Sequence, residues 1–166
     1  MGPTPTDSHP LRKWKGHVYE GGIRVPTIFF WQGQIAPQQV CHQYFTNTDY
    51  LPTFLELLGQ TYSLFPDAKS FAPLLKNPNV DTKRGAIFWH YPHFSNQMGR
   101  PAGAVRLGDW KLVENYEDNH LELFNLAEDI EEAKDLSLEN PQKKQELYQL
   151  LVNWRKEVNA NMPIKK

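Results

Sequence analysis

A single cysteine, Cys41, stands among 166 residues, so no internal disulfide staples this fold and its stability must come from apolar packing. The thiol itself reads as a small buried apolar group rather than a reactive one. Charge of one sign is lacking too: 18 Lys and Arg stand against 19 Asp and Glu, a formal net charge of −1. No global field draws nucleic acid or an anionic membrane, and the Lys165-Lys166 end is too short to act as a basic tail. Any anion must therefore be recognised locally. No apolar run approaches the roughly 20 residues that cross a bilayer. The first thirty residues hold no apolar secretory core, and Met1-Gly2-Pro3-Thr4-Pro5-Thr6 fits the myristoylation pattern only formally, because a rigid proline follows the glycine. Internal repeats are absent. No Asp-x-Asp, Asp-Asn or Asp-Asp pair stands where calcium ligands would be expected; Asp109 belongs to a turn, and Glu128-Asp129-Ile130-Glu131-Glu132 reads as a solvated acidic face.

What is present suffices for one ordinary core, with 40% hydrophobic and 13% aromatic residues. Residues 1–14, rich in Pro, Thr and Ser without periodicity, read as an irregular segment. Thr27-Ile28-Phe29-Phe30-Trp31 reads as a strand covered on both faces. Thr48 then caps a helix whose apolar positions Leu51, Phe54, Leu55 and Leu58 share one face, with Gly59 placed to end it. From Tyr62 to Arg84 turn residues such as Pro66, Pro73, Asn77 and Pro78 dominate, as in a connecting region. After Gly85 the pattern changes. Ile87–Trp89, Ala104–Leu107, Trp110–Val113 and Leu121–Leu126 are short apolar or alternating runs, and Gly108-Asp109 fits a two-residue hairpin turn. Asn140-Pro141 starts a last helix with one apolar stripe, Leu147, Leu150, Leu151, Trp154 and Val158, which should lie across the sheet.

The segment Lys15-Gly16-His17-Val18-Tyr19-Glu20-Gly21-Gly22-Ile23-Arg24-Val25-Pro26 joins a polar, glycine-bearing loop to that expected strand. It resembles the sulfatase family, arylsulfatase-like members of the alkaline phosphatase superfamily, which carry a lysine, a glycine and then Glu-Gly-Gly-Ile/Val-Arg-x-Pro before a core strand. The resemblance continues through Thr48–Gly59, Ile87–His93 and Arg106–Leu112. It implies an α/β fold of which this chain is the C-terminal part. Residues 15–84 would be the end of the α/β core, with its last strand and helix and a connecting region; residues 85–166 would be a small antiparallel sheet packed with a C-terminal helix. An isolated piece of parallel sheet exposes apolar edges, which predicts poor solubility.

The resemblance also implies roles. Lys15 is the catalytic and sulfate-binding candidate, because its family counterpart contacts the sulfate group. The family often has Arg-x-Gly-Lys-Gly here, and Trp14 takes the place of that glycine. His90 and His93 are substrate-contact candidates near the active-site opening, or hydrogen-bonded structural histidines; Pro92 between them argues against a zinc pair. Asn96, Gln97 and Arg100 follow in the next loop, and Arg100 joins the substrate-binding candidates. Glu20 and Arg24 are read as partners of each other or of neighbouring backbone, in support of the lysine loop. Ser8-His9-Pro10-Leu11-Arg12 matches the Ser/Cys-x-Pro-x-Arg pattern that is matured to formylglycine. The helix-entering context of that pattern is replaced by Lys13-Trp14-Lys15-Gly16, so Ser8 is not taken as the nucleophile.

Calcium and a formylglycine nucleophile are thus implied by the family, with no metal ligands in this chain. The implied function is that of the C-terminal part of a sulfuric ester hydrolase, inactive alone. Its partners would be a sulfated small molecule or glycan and the missing N-terminal sulfatase portion, with no nucleic acid and no membrane span. Family members are commonly exported. The alternatives are a phosphodiesterase or phosphonate hydrolase of the same superfamily, and a non-catalytic module that binds a sulfated glycan through the aromatic loop from Trp89 to Phe94.

Overall fold

The computed structural model describes residues 7–60 and 67–164; the Met1–Thr6 pattern, Pro66 and the Lys165-Lys166 end lie outside them. In chain order the elements are α1 (Glu20–Ile23), a 3-10 turn (Asn47–Asp49), α2 (Tyr50–Leu57), α3 (Ala72–Lys76), β1 (Ile87–Tyr91), β2 (Ala102–Leu107), β3 (Trp110–Asn115), β4 (His120–Asn125) and α4 (Pro141–Glu157). They fall into two compact units, one made of residues 1–25 and 85–166, the other of Pro26–Arg84. Lys15–Val25 therefore packs with the C-terminal sheet, whereas the sequence groups it with the residues that follow it.

The four strands form an antiparallel meander in the order β1-β2-β3-β4. Gly108, with φ +60, lets the chain reverse between β2 and β3 at the expected two-residue turn. Register sorts the side chains into two faces. Phe88, Val105, Leu112 and Leu123 stand in one row across the sheet, and Leu147 and Leu151 of α4 close over that row as fully buried side chains. Phe88 and Trp154 stack at 4.8 Å with nearly parallel rings. Pro141 occupies the first turn of α4 behind Asn140, where a missing N–H costs nothing. Val158, the last residue of the expected stripe, is the C-cap and is half-exposed. The opposite face carries Ala102, Ala104, Val113 and Phe124, and Val18 and Tyr19 of the lysine segment cover it. That face also presents Arg106, Lys111 and Glu122.

The other unit departs further from the sequence reading. Residues 27–31 carry no strand, and Ile28 and Phe30 are 92% and 87% exposed. An extended apolar segment becomes a strand only when a neighbouring strand takes its backbone hydrogen bonds, and the described residues of this unit hold no strand. Leu51, Phe54 and Leu58, expected on the packed face of α2, are exposed as well, while Pro52 and Thr53 are buried. The helix entry is capped by Thr46 rather than Thr48, through a reciprocal capping box with Asp49. Buried Asp49 is the hub, accepting from the Arg84 guanidinium at 2.9 Å and the Lys69 N–H at 2.8 Å. Phe29, Phe45, Tyr50 and Phe71 cluster with ring centroids 4.2–6.2 Å apart. Cys41 is exposed rather than buried, because it lies in an irregular stretch outside that cluster.

Candidate functional site: a lysine loop held by buried ion pairs

Lys15 is solvent-exposed, and no described residue pairs with its ammonium. The residues that place it are buried. One turn on, α1 begins at Glu20, whose side chain is almost fully buried against the sheet. Lys111 of β3, also fully buried, lies 2.9 Å from Glu20 Oε1 and 2.8 Å from Glu132 Oε1. The Glu20 N–H, an orphan donor of a helix start, donates to Glu132 Oε2 at 2.7 Å. Arg24 and Arg106 add positive charge 3.5 and 3.7 Å from Glu20 Oε2. Of the two readings for Glu20 and Arg24, the structure has them paired with each other, as the outer member of a larger network.

A second set of contacts ties down the start of the loop. Arg12 donates to Glu122 Oε1 at 3.0 Å and to the Glu132 carbonyl at 3.1 Å, with its guanidinium 4.2 Å from the centre of the Tyr19 ring. The Tyr19 hydroxyl donates to the other Glu122 oxygen. The Arg12 carbonyl accepts from the Gly21 N–H at 2.9 Å, and the Ser8 hydroxyl donates to the Gly21 carbonyl at 3.3 Å. This fold-back explains the two glycines of the motif. A Cβ on Gly21 would stand 2.2 Å from the Lys13 carbonyl oxygen, and one on Gly22 would stand 2.1 Å from that of His17. Only a bare backbone lets the turn close on its own loop.

The two carboxyls that share Lys111 differ in kind. Burial alone would push Glu20 up, but Lys111, Arg106 and Arg24 outweigh it and hold the carboxyl below its ordinary range. Burial dominates at Glu132; the Glu20 charge adds to it, and Lys111 only partly offsets it, so this carboxyl is raised. Glu20 thus contributes stability that is present above its unfolded pKa and lost as pH falls through its folded value. Glu132 contributes stability present below its unfolded pKa and lost as pH rises through its folded value. At neutral pH Glu20→Gln is accordingly expected to lower the unfolding midpoint in urea more than Glu132→Gln does. Equal losses in the two variants would contradict this division.

The acidic run ending at Glu132 is therefore not simply a solvated face: Glu131 is exposed, but Glu132 is fully buried. Its anchoring role, with those of Arg12, Lys111 and Glu122, is not read from the sequence. The available signal was a charged residue beside apolar neighbours in each of two strands, Lys111 in β3 and Glu122 in β4, which demands a partner when buried.

The remaining candidates separate. His90 has both ring nitrogens engaged, Nδ1 with the Tyr116 hydroxyl at 2.7 Å and Nε2 with the Asn161 carbonyl at 2.8 Å. It ties residues after α4 to the sheet, on the face away from the lysine segment. His93 is exposed, its ring centre 4.1 Å from that of Tyr91. Arg100 is exposed and forms a loose 3.5 Å pair with Glu117. Among the described residues no group of three or more His, Cys, Asp or Glu is placed to hold a metal ion. The calcium implied by the sequence resemblance has no ligand set among them. No described helix is long and apolar enough to cross a membrane.

Comparison with known proteins adds to this geometry. A sulfatase of Formosa agariphila is 36% identical over 148 residues, covering 82% of this chain and 27% of that protein. Human arylsulfatase A is 36% identical over 102 residues, covering 61% of this chain and 19% of its own length. The chain thus spans about a quarter or less of the curated relatives it matches. The solved structure of Ps i-CgsB in complex with k-i-k-neocarrahexaose superposes with a TM-score of 0.71 at 25% identity, over 89% of this chain and 32% of that one. Residues 13–160 match the family described as N-sulphoglucosamine sulphohydrolase, C-terminal, and the chain belongs to that family.

Proposed function

We propose that this chain acts as the C-terminal part of a sulfuric ester hydrolase and supplies the lysine that binds the sulfate group. The observation that carries the reading is an exposed ammonium at Lys15, paired with no described residue, on a loop anchored by buried ion pairs through Glu20, Lys111 and Glu132. Cleavage of a sulfate ester builds negative charge on the sulfuryl and leaving oxygens. A donor already fixed in place stabilises that charge without reorganising during the reaction. Lys15 supplies such a donor. The nucleophile and the metal ligands come from the remainder of the enzyme, so the chain alone is inactive.

The substrate class is a sulfated sugar. The family description, which names a sulphoglucosamine, supports this, as does the oligosaccharide bound in the structural neighbour. The exposed His93 ring beside Tyr91 and the exposed Arg100 guanidinium are suited to contact sugar and anion. His90 acts as a structural residue. The test is to replace the matching segment of the Formosa agariphila sulfatase with this chain and assay release of inorganic sulfate from sulfated aminosugars. The chimera is expected to turn over and the isolated chain is not. Sulfate release by the isolated chain, or a correctly folded chimera without activity, would count against the reading.

A further inference from the structure

We propose that the turn from Ser95 to Gly99 is a positioning clamp for Lys15, joined to the lysine loop through Trp14 and Gly16; the proposal rests on the sulfate-binding role given to Lys15 above. The two segments meet at several independent points on either side of Lys15. Before it, the Trp14 indole N–H donates to the Gln97 carbonyl at 3.0 Å. After it, Gly16 has φ +95, and a Cβ there would stand 2.5 Å from Ser95 Oγ. From the other side, a Cβ on Gly99 would stand 1.7 Å from the Gly16 carbonyl oxygen. Backbone thus meets backbone with no room for a side chain, which fixes the height of the lysine loop over the turn.

The turn is itself braced. The Ser95 N–H donates to the Gly99 carbonyl at 2.8 Å, the Met98 N–H to the Ser95 carbonyl at 3.1 Å and the Gln97 N–H to Ser95 Oγ at 2.9 Å. Lys13 and Met98, one on each segment, hold left-handed backbone with φ 65 and 66. Such conformations persist in non-glycine residues only where their surroundings over-determine them. His17 Nε2 and Gln97 Oε1 lie buried at this contact without a hydrogen-bond partner among the described residues. Burial, and then the nearby Lys13 charge, push the His17 pKa down, so the imidazole adds no charge of its own beside Lys15 at neutral pH. Trp14, which replaces a glycine of the family pattern, is therefore the residue that bolts the loop to the turn.

Trp14, Gly16 and Gly99 are positioning residues: they act on the reaction through Lys15. Two experiments test this. In the full chain, hydrogen exchange is followed in peptides covering 13–18, 94–100 and 141–157. Gly99→Ala is expected to speed exchange in 13–18 about 10-fold, and Trp14→Phe to do the same in 94–100, with 141–157 unchanged in both. Either segment failing to respond to the change in the other overturns the clamp.

In the sulfatase chimera, Trp14→Phe, which keeps the ring and removes the donor, is combined with Lys15→Ala in a double-mutant cycle. Misplacing a charged group by about 1 Å costs on the order of 10²-fold in rate. Trp14→Phe should lower kcat at least 10-fold with KM little changed, and should have no further effect once Lys15 is alanine. The same factor in both backgrounds overturns the positioning role. No loss from Lys15→Ala alone overturns the sulfate-binding reading beneath it, while the exchange result still decides whether the two segments are joined.

Discussion

Replacing Lys111 by methionine is expected to lower the unfolding free energy of the sheet unit by about 3–5 kcal/mol at pH 7, because it leaves two carboxylates buried without their shared cation. Glu20 and Glu132 are at most 2% exposed, so water cannot take over the lost interaction. The pH dependence separates this cause from a simple packing defect. Removing the Lys111 charge raises both carboxyls relative to the parent, so the folded variant holds more protons than the folded parent. The stability of the variant must therefore rise relative to the parent as pH falls from 7 toward 5. Adding Glu20→Gln and Glu132→Gln to Lys111→Met is expected to recover part of the loss. Urea unfolding followed by the fluorescence of Trp110 and Trp154, both packed in this unit, measures it. A loss below about 1 kcal/mol that does not change with pH would place the stability of the segment elsewhere.

The second large effect is on chemistry. In the chimera, Lys15→Ala is expected to reduce kcat/KM for a sulfated aminosugar by about 10²–10³-fold, the cost of removing one preorganised donor from a developing oxyanion. Lys15→Arg keeps the charge but replaces a compact ammonium with a wide planar fork, and should restore only part of the activity. Neither change should alter the unfolding midpoint, since Lys15 is exposed and pairs with no described residue. An unchanged kcat/KM in Lys15→Ala would leave this lysine an ordinary surface residue.

The sheet and α4 are legible in the sequence because their information is local. Alternation marks the strands, Gly108-Asp109 marks the hairpin, and Asn140-Pro141 marks the start of an apolar stripe at helical spacing. The Thr46-x-x-Asp49 capping box was equally readable and outranks Thr48, because it satisfies donors at both ends of the turn. Residues 27–31 and the exposed face of α2 fail for another reason: apolar character says that a segment seeks cover, not where the cover comes from. The site divides the same way. Lys15, Glu20 and Arg24 stand out by their motif. Their anchors do not, since Lys111 meets Glu20 across 91 positions and Arg12 meets Glu122 across 110, and spacing carries no trace of such pairs.

These anchors give the motif a physical meaning. Glu20 is needed as the buried acid that Lys111 grips, Gly21 and Gly22 let the turn fold onto residues 12–17, and Lys15 is left facing water with no described residue paired to its charge. The most direct measurement is the crystal structure of the sulfatase chimera with a sulfated aminosugar bound. The account expects Lys15 Nζ within about 3 Å of a sulfate oxygen, at ordinary hydrogen-bond distance, with the Glu20–Lys111–Glu132 contacts unchanged. A sulfate group seated elsewhere, with Lys15 extended into solvent, would contradict it.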